Sequence, residues 1–368
     1  MEVRRYDGLE ALPESYEALF RTAEKESFFN SALWYRVLLA TTASPGEEQR
    51  FYGLEESGSG RPQALLPAIG MPRQRGPYGS RLLSGCHNVY TLRFSPLVGE
   101  HVSDRRKIVH ELVGALLRDR PRWDAVSLRM LDRDSEVFDY LLEAFDSCGL
   151  VTEPYFQFGN WYEDVAGRSF DDYIADRGKS VKKTLAWKAR RFARRPDASC
   201  EIYKGGEGAE RAITAFKTVY GASWKEPELH PDFMDGLMRS CAERGCLRLG
   251  NLFLSGAPVA SWLIIVSNAT AIGFKTAYDP MAPSNLSVGG VLTYNVMQYL
   301  IDEEKVSRID FGIGDEAYKT QWLTTRRELW GIMAYNRQTP RGAMLAAMMQ
   351  GRNWARRARA VLRPSAAQ

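Results

Sequence analysis

The order of predicted strands and helices between Cys200 and Asn336 most constrains how this chain can fold. Periodicity and turn residues predict a strand at 200–204, helices at 207–221 and 231–244, and strands at 247–254, 259–267 and 270–279. A helix at 288–304, a strand at 308–312, a helix at 315–324 and a strand at 329–336 complete the order. Tight turns such as the one at 255–258 join the three middle strands, which therefore pair antiparallel. The pattern predicts an α/β domain.

One stretch of this domain has the features of an active site. It is RIDFGIGDEAYKTQWLTTRRELW, at 308–330. A buried strand leads into Gly312 and Gly314, which permit a tight turn or a close approach to a ligand. Asp315 follows where a helix can begin, and Tyr318 and Trp322 then share one helix face with Lys319 beside it. Chemistry in α/β enzymes is often found at such a carboxyl end of a strand. A strand–turn–helix with a capping aspartate and a surface lysine is the structural alternative.

The N-terminal half also alternates strands and helices, as an α/β layer domain does. We predict strands at 50–55, 63–69 and 123–129 and helices at 104–117 and 135–148. The chain changes character at the aromatic segment YFQFGNWY (155–162), where we place a domain boundary.

The predicted helix Lys179–Arg195 is strongly basic. It contains eight lysines and arginines and no acidic residue, including Lys182, Lys183, Arg190 and Arg191, whereas its apolar stripe is Val181, Leu185, Ala189 and Phe192. A merely solvated helix usually carries intermixed acids. Trp187 lies off the stripe and could stack on a base or a sugar. The helix therefore predicts an anionic partner such as tRNA, a nucleotide-linked sugar or a lipid surface, with a solvated face as the alternative.

Composition bounds the remaining possibilities. With 368 residues, 45% of them hydrophobic, the chain can form two domains. The net charge of +4 is too small to identify a partner, and five unclustered cysteines suggest reduced thiols. No apolar h-region or membrane-spanning run is present, so we expect a cytoplasmic protein. Hydrolase triads, P-loops, zinc motifs and Rossmann fingerprints are absent from the sequence, and we predict no metal site.

The motif FGIGDEAYKTQW (311–322) resembles the GNAT-like acyltransferase domain of CelD-type polysaccharide-biosynthesis proteins, which is related to the Fem aminoacyltransferases. KSVKKTLAWKARR, SGAPVASWL and YDPMAPSNLSVGGVLTYNVMQYL match further parts of that domain, and the resemblance spans about 155–336. It implies tandem GNAT-like domains. The expected division is a degenerate domain at 1–155, an acyltransferase domain with a mixed, largely antiparallel sheet at 156–340, and a basic C-terminal helix and tail at 341–368, with Pro364 ending the helix.

The resemblance also implies site residues. In GNAT enzymes the turn before the helix at 288–304 holds the pyrophosphate of coenzyme A, which indicates Ser287, Gly289 and Gly290 as donor-binding residues. Asn285 and Val288 depart from the GNAT pattern there, a departure that fits a donor other than coenzyme A, and a helix cap with close packing is the alternative reading. Trp224, Lys275 and Tyr278 are candidates for the acceptor side, with core packing as their alternative.

Acyl transfer to an amine needs a base, an acid for the leaving group and stabilisation of the oxyanion. Asp315 or Glu316 is the predicted base, Tyr318 the acid and Lys319 the electrostatic stabiliser. We expect an N-acyltransferase that uses acyl-coenzyme A as a co-substrate, with no permanently bound cofactor, and an amine acceptor on a small molecule, sugar or cell-envelope precursor. The alternatives are an aminoacyl-tRNA-dependent transferase and a non-catalytic protein that binds an anionic polymer or membrane. Peripheral membrane contact through the C-terminal helix is a further expectation.

Overall fold

The computed structural model describes residues 1–362, apart from the side chains of residues 74, 353 and 355–362. The β-strands are β1 (Glu2–Tyr6), β2 (Glu48–Glu55), β3 (Pro62–Met71), β4 (Leu82–Gly85), β5 (Leu97–Val98), β6 (Ala125–Asp132), β7 (Leu150–Asp164), β8 (Ala198–Tyr203), β9 (Leu247–Leu254), β10 (Ala257–Ser267), β11 (Thr270–Tyr278), β12 (Arg308–Ile313) and β13 (Thr325–Asn336). The α-helices are α1 (Glu17–Glu26), α2 (Ala32–Thr42), α3 (Arg105–Arg118), α4 (Glu136–Ser147), α5 (Phe170–Ala175), α6 (Ala186–Ala193), α7 (Ala209–Ala222), α8 (Pro231–Glu243), α9 (Val288–Gln298) and α10 (Pro340–Leu362).

The predicted helix end at Pro364 and the predicted tail lie outside the described residues. None of the described helices combines the length and apolar character that crossing a bilayer requires.

Contacts group the chain into two compact units. The first contains Met1–Tyr35, Ala43–Gln157 and the chain from Leu329 onward, and the second contains Arg36–Thr42 and Phe158–Glu328. Helix α2 and strands β7 and β13 each run from one unit into the other. The domain limits expected from the sequence stay a prediction.

Each unit has its own run of paired strands. The order in the first unit is β1-β2-β3-β4-β6-β13, and in the second it is β7-β12-β11-β10-β9-β8. Within these runs only β4 with β6 and β11 with β12 pair parallel; the other recorded pairs are antiparallel. Helices α3 and α9 supply the crossovers that parallel neighbours require. The predicted α/β class with mixed, largely antiparallel sheets is therefore confirmed.

The two units repeat one plan. A strand, two helices, three antiparallel strands, a crossover helix and a parallel strand follow one another from β1 to β6 and again from β8 to β12. The last strand of each repeat is exchanged: residues 160–164 of β7 pair with β12 in the second unit, whereas residues 329–335 of β13 pair with β6 in the first. The predicted tandem arrangement is confirmed, and the exchange is a feature that the sequence analysis did not predict.

The core of the second unit lies between its sheet and helices α6 and α9. The predicted apolar stripe of the basic helix is buried at Val181, Ala189 and Phe192. Gly250 of β9 admits α9, because a Cβ atom there would lie 2.5 Å from a methyl carbon of Val296. The predicted basic helix forms as a π-helical turn, Ser180–Leu185, followed by α6, and α9 likewise ends in a π-helical turn, Tyr299–Glu303.

Candidate active site in the second unit

The end of β12 forms a tight loop over the stretch that the sequence singled out. Gly312 and Gly314 have φ angles of 67° and 108°, which are left-handed and suit glycine. The predicted α-helix at 315–324 is wrong: only a 3-10 helix, Ala317–Gln321, forms there. Two left-handed glycines turn the chain too sharply for a regular helix to start at Asp315, so Tyr318 and Trp322 do not share an α-helical face.

Lys319 lies inside this loop. Its Nζ atom donates to the carbonyl oxygens of Ile313 at 2.8 Å and Gly314 at 3.1 Å, reaches that of Gly312 at 3.5 Å, and lies 2.9 Å from a carboxylate oxygen of Glu316. The side chain is only 2% exposed. The alternative of a surface lysine is therefore wrong, because the ammonium group binds the backbone of the loop that carries the predicted site.

Asp315 faces solvent and is held by two neighbours. Arg326 donates to both carboxylate oxygens at 2.7–3.2 Å, and the indole of Trp161 donates to Oδ1 at 2.5 Å. The hydrogen bonds from Arg326 lower the pKa of this carboxyl, and the smaller contribution of Trp161 acts in the same direction. Asp315 is consequently a weaker base than an ordinary aspartate.

Tyr318 presents its ring at the surface of the same loop. The ring centroid lies 6.4 Å from that of Phe311, which packs edge-on against Trp262 at 5.2 Å. Removal of water from the hydroxyl raises the pKa of Tyr318 to about 12. The phenol therefore keeps its proton at neutral pH and can act as a hydrogen-bond donor or an acid.

The start of α9 contains the three predicted donor-binding residues. Ser287, with a left-handed φ of 50°, precedes the helix, and its hydroxyl binds Nζ of Lys188 from the basic helix. Gly290 packs closely against the basic helix, because a Cβ atom there would lie 2.7 Å from Cδ2 of Leu185. Gly289 instead faces the ring of Tyr278, with 3.2 Å between its ideal Cβ position and Cδ1. The close-packing reading thus applies to Gly290, while Ser287 and Gly289 border the more open side.

The three predicted acceptor residues lie together beside this helix start. The rings of Trp224 and Tyr278 have centroids 4.4 Å apart and are both exposed, so core packing does not explain them. Lys275 is 2.7 Å from a carboxylate oxygen of Glu228. The structure therefore brings Gly289, Tyr278, Trp224 and Lys275 into one region of the second unit.

The four predicted cations of the basic helix are exposed. Lys182 donates to the carbonyl of Ala175 at 2.9 Å, and the guanidinium of Arg191 lies 5.3 Å from the exposed ring of Trp187. Lys188, in contrast, is turned toward Ser287. One face of this helix thus reaches the start of α9, and another presents charge and an aromatic ring to solvent.

Sequence reasoning missed a buried ion-pair network beneath the loop. Asp310 pairs with Arg327, and Asn160 donates to Asp310 at 2.7 Å and to the carbonyl of Gly312 at 2.8 Å. Arg327 in turn donates to Asn160 at 2.6 Å. The only signal in the sequence was an acid inside the apolar strand RIDFG. A buried acid of this kind requires partners, which here fix the strand end.

Comparisons with known proteins agree with this architecture. Residues 179–320 match the model of the acetyltransferase (GNAT) domain. A comparison with curated protein sequences finds no match. Among solved structures, FemX superposes with a TM-score of 0.62 at 12% identity, covering 91% of this chain and 97% of its own.

Two further structures show the same fold. L-PGS from Bacillus licheniformis has a TM-score of 0.53 at 14% identity and covers 95% of this chain and 99% of its own. The C-terminal domain of a putative lysylphosphatidylglycerol synthetase from Agrobacterium fabrum has a TM-score of 0.50 at 14% identity, covering 91% and 96%. The chain therefore contains a GNAT acetyltransferase domain in its second unit, shares the fold of FemX, and is an acyltransferase.

Proposed function

We propose that the protein transfers an acyl group from acyl-coenzyme A to an amine of a small molecule, a sugar or a cell-envelope precursor. One observation carries this proposal: the exposed Trp224–Tyr278 pair lies against Gly289 at the start of α9. Free backbone N–H groups and the helix dipole favour a phosphate at such a helix start, and the ammonium of Lys188 adds a positive charge there. Donor and acceptor sides thus adjoin.

The loop after β12 supplies the acid–base groups in this proposal. The base removes a proton from the acceptor amine, whose lone pair then attacks the donor carbonyl. Glu316 takes the role of base, because the hydrogen bonds from Arg326 make Asp315 the weaker candidate. The leaving group departs with the proton of Tyr318. Lys319 and Asp315 act as positioning residues that hold this loop.

An aminoacyl-tRNA donor is the second candidate, favoured by the exposed basic helix. Lys183, Arg190 and Arg191 are exposed there beside Trp187, a combination that suits a phosphate backbone with unstacked bases. Lysylphosphatidylglycerol synthetase, by its name, joins an amino acid to a lipid, so the shared fold is compatible with aminoacyl transfer.

The C-terminal helix supports peripheral membrane contact as part of this proposal. Met344, Met348 and Trp354 are exposed on α10, while Leu345 and Met349 are buried on its other side. The segment from Pro340 to Gln368 carries arginines and no acid. Such a helix suits an anionic lipid surface on the cytoplasmic side.

Ser287→Asp tests the donor site. A negative charge before the helix interacts favourably with the helix dipole and can pair with Lys188, so the melting temperature should be maintained or rise. The added negative charge should repel the donor phosphates and weaken donor binding at least about tenfold. Calorimetry with acetyl-coenzyme A and with aminoacyl-tRNA measures the effect and identifies the donor.

Thr214→Asp is the matched control, because it adds the same charge at an exposed position of α7. It should leave donor binding unchanged. Equal affinities of wild type and Ser287→Asp for the accepted donor would remove the donor from the start of α9.

A further inference from the structure

Two ammonium groups share one aromatic ring near the proposed acceptor side. Nζ of Lys225, just after α7, lies 5.9 Å from the ring centroid of Tyr220, and Nζ of Lys275, on β11, lies 5.8 Å from the same centroid. Both lysines are half-buried. Cations near a tyrosine face gain some stabilisation from the ring, but like charges at one ring repel each other.

The carboxylates nearby do not balance these two charges. Glu228 accepts from the hydroxyl of Tyr220 and pairs with Lys275 at 2.7 Å. Glu316 is paired with Lys319. Among the described residues, no oxygen accepts a hydrogen bond from Nζ of Lys225. Burial, and after it the ammonium of Lys275, lower the pKa of Lys225, and the smaller opposing effects of Glu228 and Glu316 do not offset them.

An exposed aromatic pair flanks this uncompensated charge. Trp224 precedes Lys225 in the chain and packs on Tyr278, which borders Gly289. Aromatic neighbours exclude water and so strengthen the attraction between a lysine and an anion. Both aromatic residues are exposed, Trp224 at 57% and Tyr278 at 41%.

We propose that Lys225 and Lys275 bind an oxyanion, a phosphoryl or carboxylate group, carried by the acceptor substrate. The bound anion accepts hydrogen bonds from Lys225, whose ammonium group has no acceptor among the described residues, and lies within reach of Lys275, which also pairs with Glu228. The assignment of this anion to the acceptor rests on the proposed acyl transfer; the existence of the anion site does not.

Lysine NMR measures binding without any need for turnover. Protein labelled with ¹³C at lysine Cε is titrated with inorganic phosphate and separately with acetate, at ionic strength held constant with sodium chloride. We expect saturable shifts of the Lys225 and Lys275 resonances with at least one anion. Phosphate alone indicates a phosphoryl group, acetate alone a carboxylate, and both a general oxyanion site.

Matched variants locate the effect. Lys225→Met should weaken saturable binding at least tenfold, Lys225→Arg should preserve it, and Lys217→Met should not change it, because Lys217 is exposed and paired with Asp235. Melting temperatures establish that each variant is folded. Shifts that grow linearly with both anions, or saturable binding that persists in Lys225→Met, would overturn the anion site.

Inhibition kinetics test the assignment to the acceptor. The anion that binds in the NMR titration should compete with the amine acceptor and not with the acyl donor. Competition with the donor alone would overturn that assignment. A protein without acyl-transfer activity would refute the proposed function instead, while the NMR titration would still decide on the anion site.

Discussion

The ammonium group of Lys319 holds the backbone of the loop after β12 by hydrogen bonds. The left-handed glycines turn the carbonyls of Gly312, Ile313 and Gly314 toward a single point, where its ammonium group binds them. A buried carbonyl without a donor is costly. The lysine therefore stabilises the one conformation in which Asp315 reaches Arg326 and Tyr318 faces outward.

Lys319→Met should lower the free energy of unfolding by about 1–3 kcal/mol, because methionine leaves the carbonyls of Ile313 and Gly314 without this donor. Turnover should fall as well, since the loop no longer fixes Tyr318. Urea unfolding and assays at a temperature where the variant is folded separate the two effects. The exposed Lys217→Met control should change stability by less than about 0.5 kcal/mol. Wild-type stability of Lys319→Met would show that the ammonium group does not hold the loop.

For individual residues, the sequence indicated where the loop after β12 would be but not which contacts its side chains make. Glycines, an acid, a phenol and an amine in FGIGDEAYK are visible locally, and they predicted where the loop would be. The direction of Lys319 was not visible, because it depends on the φ angles of two glycines. The hydrogen bond from Asn160 to Asp310 was also not predictable from the sequence, because the two residues are 150 positions apart in the chain.

Among the elements, the basic helix was predicted well because its signal is periodic. An apolar stripe every three or four residues predicts the buried face of a helix directly, and Val181, Ala189 and Phe192 are buried as expected. Its π-helical first turn and the contact of Lys188 with Ser287 were not predictable, because both depend on packing against α9. What binds the exposed cations stays a prediction.

Replacing Lys182, Lys183, Arg190 and Arg191 with glutamine tests the tRNA alternative. Binding of aminoacyl-tRNA should weaken, and the slope of log affinity against log salt should become shallower by roughly one unit for each phosphate that the variant no longer neutralises. Filter binding at several salt concentrations measures both.

The control removes the same number of charges elsewhere in the second unit: Lys204, Arg211, Lys217 and Arg239, all paired with acids at the surface, become glutamine. The two quadruple variants should differ clearly in slope. An identical slope in both would mean that the basic helix is a solvated face.

For the whole molecule, the order of elements predicted the tandem plan but not the exchange of last strands. Local periodicity places a strand at 329–336, whereas its partner is decided by contacts far along the chain. β13 pairs with β6, some 200 residues earlier, although it follows β12 directly. A boundary near 155 was visible as a change in composition, but composition carries no information about which sheet a strand completes.

A fragment of residues 1–155 should therefore fail to fold cooperatively, because β6 lacks its neighbour and loses the buried side chains of Leu329, Ile332 and Ala334. Joining Gln157 to Leu329 by a short glycine-rich linker should restore the first unit. The ring centroids of Phe156 and Trp330 lie 6.2 Å apart, so the ends are close. Thermal unfolding of the 1–155 fragment and of the linked protein is followed by circular dichroism. Equally cooperative transitions in both would show that the first unit folds without β13.

The exchange of strands also imposes a delay during synthesis, because β6 is made long before its partner β13. After Gln157 has been added, 171 further residues (328 − 157) precede the part of β13 that pairs with β6. At about 5–20 residues per second, the ribosome needs roughly 10–30 s to make them. Throughout that interval β6 presents an unpaired edge, the feature of a sheet most prone to pair with another chain. The 1–155 fragment lacks β13 permanently, as the growing chain does for a time. Its tendency to aggregate therefore measures how strongly the growing chain needs protection from aggregation.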